Sequence, residues 1–204
     1  MLFRSGFAVG PDAATRIGGV ELRFTGGGPQ AGITGWGLTG AADVPAAIDG
    51  IRTELVAAPQ GPEPVHPNAA LRLDHVVVAT PDMDRTLEAL RAVGLRVSRM
   101  RDTGIPGPRA RQAFVWCGDV ILEVVGPHEP EGDGPAHLWG LVVVTADIDA
   151  LMARTDSWVS TIRDAVQHGR RIAPVRREAG STVPLAFMTP HTRRAEPDQE
   201  PSTA

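Results

Sequence analysis

The alternation of apolar and polar positions divides the chain into short strands with a few helices between them. The densest apolar run is Leu73-Asp74-His75-Val76-Val77-Val78-Ala79-Thr80, followed directly by Pro81-Asp82-Met83-Asp84. β-Branched residues closed by a proline and an aspartate predict a buried strand entering a helix. That helix should cover residues 82–93, because Met83, Leu87, Leu90 and Val93 recur at helical spacing and Gly94 supplies a stop. Strands are expected at 95–100, 112–116 and 120–125, the last two forming a hairpin around Gly118-Asp119. Further on, 138–145 reads as a strand and 147–154 as a helix that 164–168 continues after an interruption. Residues 171–177 and 183–189 read as closing strands.

The pattern upstream is weaker. Residues 7–9 and 19–24 read as strands, 26–29 as a turn, and 33–38 as a strand holding Trp36. Asp43-Val44-Pro45 is a helix start by its residue types, with Ala46, Ala47, Ile48, Ile51 and Leu55 as the helix face. Four prolines and a glycine between 57 and 67 mark a linker. Residues 101–109 and 128–135 read as loops, and the polar, acidic stretch after Pro190 as a disordered tail. The expected organisation is an N-terminal partial repeat at 1–56, a linker at 57–70, one principal domain at 71–190 and a tail at 191–204.

Composition narrows the chemistry. A chain of 204 residues with 42% hydrophobic residues can bury a core, and a net charge of -4 gives no electrostatic reason to expect nucleic acid or an anionic membrane. Lysine and tyrosine are absent, which excludes Schiff-base, P-loop and phenol chemistry. Cys117 is the only cysteine, so no intramolecular disulfide forms. With no apolar run of membrane-spanning length, the expected location is cytoplasmic.

Self-similarity sets the architecture. Leu38-Thr39-Gly40-Ala41-Ala42-Asp43-Val44, Val77-Val78-Ala79-Thr80-Pro81-Asp82-Met83 and Val143-Val144-Thr145-Ala146-Asp147-Ile148 each run from a strand end through small residues to an aspartate and an apolar helix opening. Trp36-Gly37-Leu38 also matches Trp139-Gly140-Leu141. The repeated unit is strand–helix–strand–strand–strand. It is complete over 73–125, lacks a convincing fourth strand at the C-terminal end, and has only a partial N-terminal echo.

A strand carrying His75, the Pro81-Asp82-Met83-Asp84 helix start and the later strand Ile121-Leu122-Glu123-Val124-Val125 together resemble the vicinal oxygen chelate superfamily of glyoxalases, extradiol dioxygenases and bleomycin-resistance proteins. The resemblance spans roughly residues 73–190. It implies an α+β fold in which paired βαβββ modules curl a mixed sheet into a cup around a small-molecule site, often with a divalent metal. It also implies pairing of two copies through their sheets as a homodimer.

In that family each module gives one ligand from its first strand and one from its fourth, which places His75 and Glu123 as metal ligands here. Imidazole nitrogen and carboxylate oxygen suit Zn, Ni, Fe or Mn. The counterpart of His75 in the second module is Gly140, which has no ligand atom; both stand seven residues before their helix-opening aspartates. His137 falls on the opposite strand face unless a bulge intervenes. Glu21 would replace the missing fourth-strand carboxylate if the N-terminal strands completed the second module. The same His75 and Glu123 could instead pair with each other, or Glu123 with Arg111, or act as an acid/base couple.

Gln112, Phe114 and Trp139 are expected to line the ligand site beside them. The reading is therefore a glyoxalase-like, small-molecule-binding protein with a degenerate metal site and no metal cofactor. The alternative is a divalent-metal-dependent lyase, isomerase or dioxygenase using His75 and Glu123. A third reading fills the cup with side chains and leaves a purely structural role. Arg170, Arg171, Arg176 and Arg177 read as a solvated strand edge more than as an anion clamp. Cys117, in a turn with no nearby base, is not expected to act as a nucleophile.

Overall fold

The computed structural model describes residues 6–26, 31–41, 43–102, 110–155 and 158–191. Its centre is an eight-stranded mixed sheet built from two successive βαβββ units. To number the strands along the chain, the N-terminal segment contributes β1 (Ala14–Ile17), β2 (Val20–Arg23), β3 (Trp36–Leu38), β4 (Ala47–Ile48) and β5 (Ile51–Leu55). The first unit is β6 (Ala70–Ala79), α1 (Met83–Ala92), β7 (Arg96–Asp102), β8 (Ala110–Cys117) and β9 (Val120–Pro127). The second is β10 (His137–Thr145), α2 (Ile148–Arg154), β11 (Arg163–Asp164), β12 (Arg171–Pro174) and β13 (Leu185–Met188).

The strand order is β11-β12-β13-β10-β6-β9-β8-β7. Each unit's first strand runs parallel to its own fourth, β6 with β9 and β10 with β13, and the two first strands meet antiparallel at the middle. The repeat seen in the sequence is thus a structural duplication about the β6–β10 junction. Both helices open as the sequence implies. The Asp82 side chain accepts from the backbone N–H of Arg85, and that of Asp147 accepts from Asp149 and Ala150.

One face of the sheet carries the helices. There Met83, Leu87 and Leu90 of α1 pack on Val78, Val115, Leu122 and Val124, all nearly or fully buried. A second cluster joins Leu151 of α2 to Leu73, Val143, Leu185 and Phe187, with Phe7 and Ile17 from the N-terminal segment. The opposite face is free of helices and carries His75, Val77, Gln112, Phe114, Trp116 and Glu123 by the alternation of the strands.

Several expectations are corrected. No helix covers 43–55. Asp49 and Gly50 both adopt positive φ, 46° and 84°, and turn β4 back on β5 as a two-residue hairpin. The Asp-Gly pair between β-branched residues outweighs the Asp43-Val44-Pro45 helix signal, so the N-terminal echo of the repeat has no helix. The second unit does have its fourth strand, β13, paired to β10 over Leu141–Val144. Residues 164–168 do not extend α2; Arg163 and Asp164 pair with β12 instead. β1 and β2 form a separate two-stranded sheet and complete neither unit. The expected turn at 26–29, part of the loop at 101–109 and the tail beyond 191 fall largely outside the described residues. Among the described residues no helix is long and apolar enough to cross a membrane.

Candidate functional site

A bulge gives the helix-free face its central group. His75 lies opposite Val142 of β10 and Leu73 lies opposite Val143, so Asp74 is an extra residue in β6. The bulge breaks the strict alternation of side chains, and the Asp74 carboxylate reaches the imidazole of its own neighbour: Asp74 Oδ2 stands 3.0 Å from His75 Nδ1. A carboxylate only accepts, so Nδ1 carries a hydrogen toward Asp74, which orients the ring and turns Nε2 toward β9. There Nε2 is 3.4 Å from Glu123 Oε2.

The polar chain continues in both directions. Gln112 Nε2 donates to Glu123 Oε1 at 2.5 Å, and Arg101 Nε donates to Gln112 Oε1 at 2.8 Å. Behind the histidine, Arg170 donates to both Asp74 oxygens at 2.9 and 3.3 Å, and Arg72 Nη2 lies 3.2 Å from Oδ1. Burial works against ionisation of Asp74, but hydrogen bonds from His75 and Arg170 and the guanidinium charge overcome it. They hold the carboxyl far below the usual carboxylate range. The result is an unbroken line, Arg170–Asp74–His75–Glu123–Gln112–Arg101, crossing from the second unit to the edge strand of the first.

The second unit lacks the equivalent groups. Gly140 pairs with Val77, and Ala186 of β13 pairs with Val142, the positions matching His75 and Glu123 of the first unit. A side chain at 140 has no room: a Cβ there would stand 2.8 Å from the Pro184 carbonyl oxygen. Glu21 does not substitute, since it lies in β2 and pairs with Arg23 at 2.6 Å. His137 is on the same face as His75 after all, because a second bulge at Trp139 restores its parity and sets it opposite Ala79. Even so, among the described residues no three His, Cys, Asp or Glu side chains converge on a point where a cation could sit. The residues do not fit the metal that the fold would otherwise lead one to expect: two ligand atoms of one unit face a glycine and an alanine of the other.

Residues 72–173, half of the chain, match the Glyoxalase/Bleomycin resistance protein/Dioxygenase superfamily. The chain belongs to that superfamily. Among solved structures it is similar to methylmalonyl-CoA epimerase from Mycobacterium tuberculosis, with 18% identity and a TM-score of 0.48 over 62% of this chain and 92% of the other. A Streptomyces coelicolor methylmalonyl-CoA epimerase in complex with 2-nitronate-propionyl-CoA has 22% identity and a TM-score of 0.47, covering 60% and 99%. A hypothetical protein from Bacillus halodurans C-125 has 16% identity and a TM-score of 0.47, covering 61% and 98%. No curated protein matches the chain.

Of the residues singled out in the sequence, His75, Glu123 and Gln112 are brought into direct contact in this superfamily member. Phe114 stands beside them in β8, opposite Glu123. Trp139 is half exposed and is the extra residue of the β10 bulge. Sequence reasoning missed Asp74, Arg101 and Arg170. Asp74 was hidden by its position: next to His75 in a strand, it would normally point the other way. Arg170 was read with its arginine neighbours as solvated, yet it is 1% exposed. Arg111 pairs with Asp84 near α1 and not with Glu123.

A large cleft of about 2200 Å³ opens against the helix-bearing face, between the N-terminal segment and the sheet. It is lined by Phe24, Trp36, Leu73, Val76 and Leu141 among others. Asp74 and Trp116 reach its wall, whereas His75, Glu123 and Gln112 do not.

Proposed function

We propose that this protein binds a small organic molecule on the helix-free face of the paired modules, at His75, Glu123, Gln112 and Phe114, without a catalytic metal. The observation that carries the reading is that Gly140 and Ala186 occupy the second-module positions equivalent to those of His75 and Glu123 in the first. Two ligand atoms leave a divalent cation mostly hydrated and weakly held. The same two side chains are already engaged by Asp74, at His75 Nδ1, and by Gln112, at Glu123 Oε1. What the arrangement offers a ligand is a fixed imidazole edge, a carboxylate and an amide beside an aromatic ring.

A metal-dependent lyase, isomerase or dioxygenase is the competing reading, favoured by the approach of His75 Nε2 and Glu123 Oε2 to 3.4 Å. Metal analysis after reconstitution with Zn, Ni, Fe and Mn separates the two. The binding reading expects no stoichiometric metal, and thermal stabilisation by a compound from a metabolite panel that is lost in His75→Ala. Stoichiometric metal that disappears in His75→Ala would sink it.

A further inference from the structure

We infer that the ligand held on this face is an anion, and that Arg99 and Arg101 grip its acidic group; the inference rests on the binding reading above. A bulge at Ser98 sets Arg99 opposite Phe114 and Arg101 opposite Gln112, so both arginines lie on the helix-free face. Their guanidinium carbons stand 4.8 and 5.1 Å from the centroid of the one Phe114 ring. Two cations are thus gathered on a single aromatic side chain at the margin of the polar chain. Arg96 follows on the same face, opposite Trp116.

Like charges held this close repel, and protein surfaces ordinarily offset them with a carboxylate. Here none does so. Among the described residues neither Arg99 nor Arg101 is within ion-pair distance of an acidic group, and the segment 103–109 that follows contains no Asp or Glu. Asp102, next to Arg101, falls on the other face of β7 opposite Arg111 and pairs with His128 at 3.2 Å, and Glu123 has its oxygens engaged by Gln112 and His75. Stacking over a ring occupies the face of a guanidinium and leaves its in-plane N–H groups free to donate. Arg101 spends only its Nε–H, on Gln112. The remaining N–H groups form the planar fork that matches a carboxylate or a phosphoryl oxygen pair. The apolar part of the ligand then lies along the half-exposed Trp116, next to the buried Phe114 that carries the two guanidinium groups. The ligand class is a small carboxylate, phosphonate or phosphate ester with a flat or aliphatic body.

The test is titration calorimetry on the full chain with phenylphosphonate, phenylacetate and the neutral phenylacetamide, the two anions separating phosphoryl from carboxylate preference. At least one anion should bind about tenfold or more tightly than the amide, and its affinity should fall with added salt. Arg99→Gln and Arg101→Gln, whose folding is checked by thermal melting, should each weaken the anion about tenfold and leave the amide unchanged. Equal binding of anion and amide, anion binding indifferent to both substitutions, or binding of none of the three overturns the inference. A neutral compound that binds and still requires His75 would overturn it while leaving the site itself in place.

Discussion

Arg170 and Asp74 join the two modules through a buried two-pronged ion pair, with Nη2 to Oδ1 at 2.9 Å and Nη1 to Oδ2 at 3.3 Å. Arg170 comes from the turn before β12 and Asp74 from the bulge in β6, so the contact crosses the β6–β10 junction. Arg170 is fully committed: its Nε–H also donates to the Thr189 carbonyl at 2.8 Å. Removing one partner of a buried pair leaves the other desolvated and uncompensated. We expect Arg170→Met to destabilise the fold by about 3 kcal/mol, the lower end of such losses because Arg72 still faces Asp74. Adding Asp74→Asn to that variant should cost less than the two single effects combined. Urea unfolding of the four proteins in the cycle measures both.

The same carboxylate makes stability depend on acid. Asp74 titrates lower in the folded protein than in the unfolded chain, where a carboxyl has its ordinary value of about 3.9. Its contribution is therefore complete above that value and is lost progressively as the pH falls below it, toward the folded value. Unfolding free energies of wild type and Asp74→Asn, followed from pH 7 downward, should differ by a constant amount until about pH 4 and then converge. A difference that stays constant through the acid range would show that Asp74 is not the group involved.

How far the sequence could be read follows from range. The two helices and the strands around them were legible because caps and periodicity act within a few residues: Asp82 and Asp147 stand where helix starts require them. His75 and Glu123 were found through the family resemblance, which points to one residue on a module's first strand and one on its fourth, and alternation along β6 and β9 was enough to set them on one face. Bulges defeated that logic. One extra residue at Asp74 turned a side chain expected to face away into the group that orients His75, and another at Trp139 moved His137 across the sheet. Arg170 could not be assigned at all, since its partner lies 96 residues away and nothing local distinguishes it from the exposed Arg171 beside it.

Gly140 offers a direct check on the second module. Its missing side chain is enforced by packing, because a Cβ would meet the Pro184 carbonyl oxygen at 2.8 Å and the Pro184 Cβ at 3.1 Å. Installing the absent ligand as Gly140→His should therefore lower the melting temperature, at a cost of about 1–3 kcal/mol, and should not confer stoichiometric metal binding. A stable, metal-loaded Gly140→His protein would mean that the sheet can yield at Pro184 and that the ligand set is easily rebuilt.

Ile48 and Ile51 bury the N-terminal hairpin against the first module, Asp49 adds its polar fastening, and removal of that carboxylate should be felt there. Asp49, at the hairpin turn, accepts from Arg85 Nε at 2.7 Å and from the hydroxyl of Thr86, both on α1. Its own carbonyl receives the backbone N–H of Ala136 at 2.9 Å, just ahead of β10. Asp49→Ala removes two side-chain acceptors and leaves the fully buried Thr86 hydroxyl to Thr80 and the Asp82 carbonyl. It also places alanine at a φ of 46°, where aspartate is better tolerated. We expect a loss of about 2 kcal/mol, with Asp49→Asn retaining roughly half because it keeps one oxygen and the turn preference. Native-state hydrogen exchange should locate the loss: amides of β4, β5 and the first turn of α1 should lose protection before those of β12 and β13. Uniform loss across the sheet would instead mean that the hairpin is integral to the fold and not fastened to it.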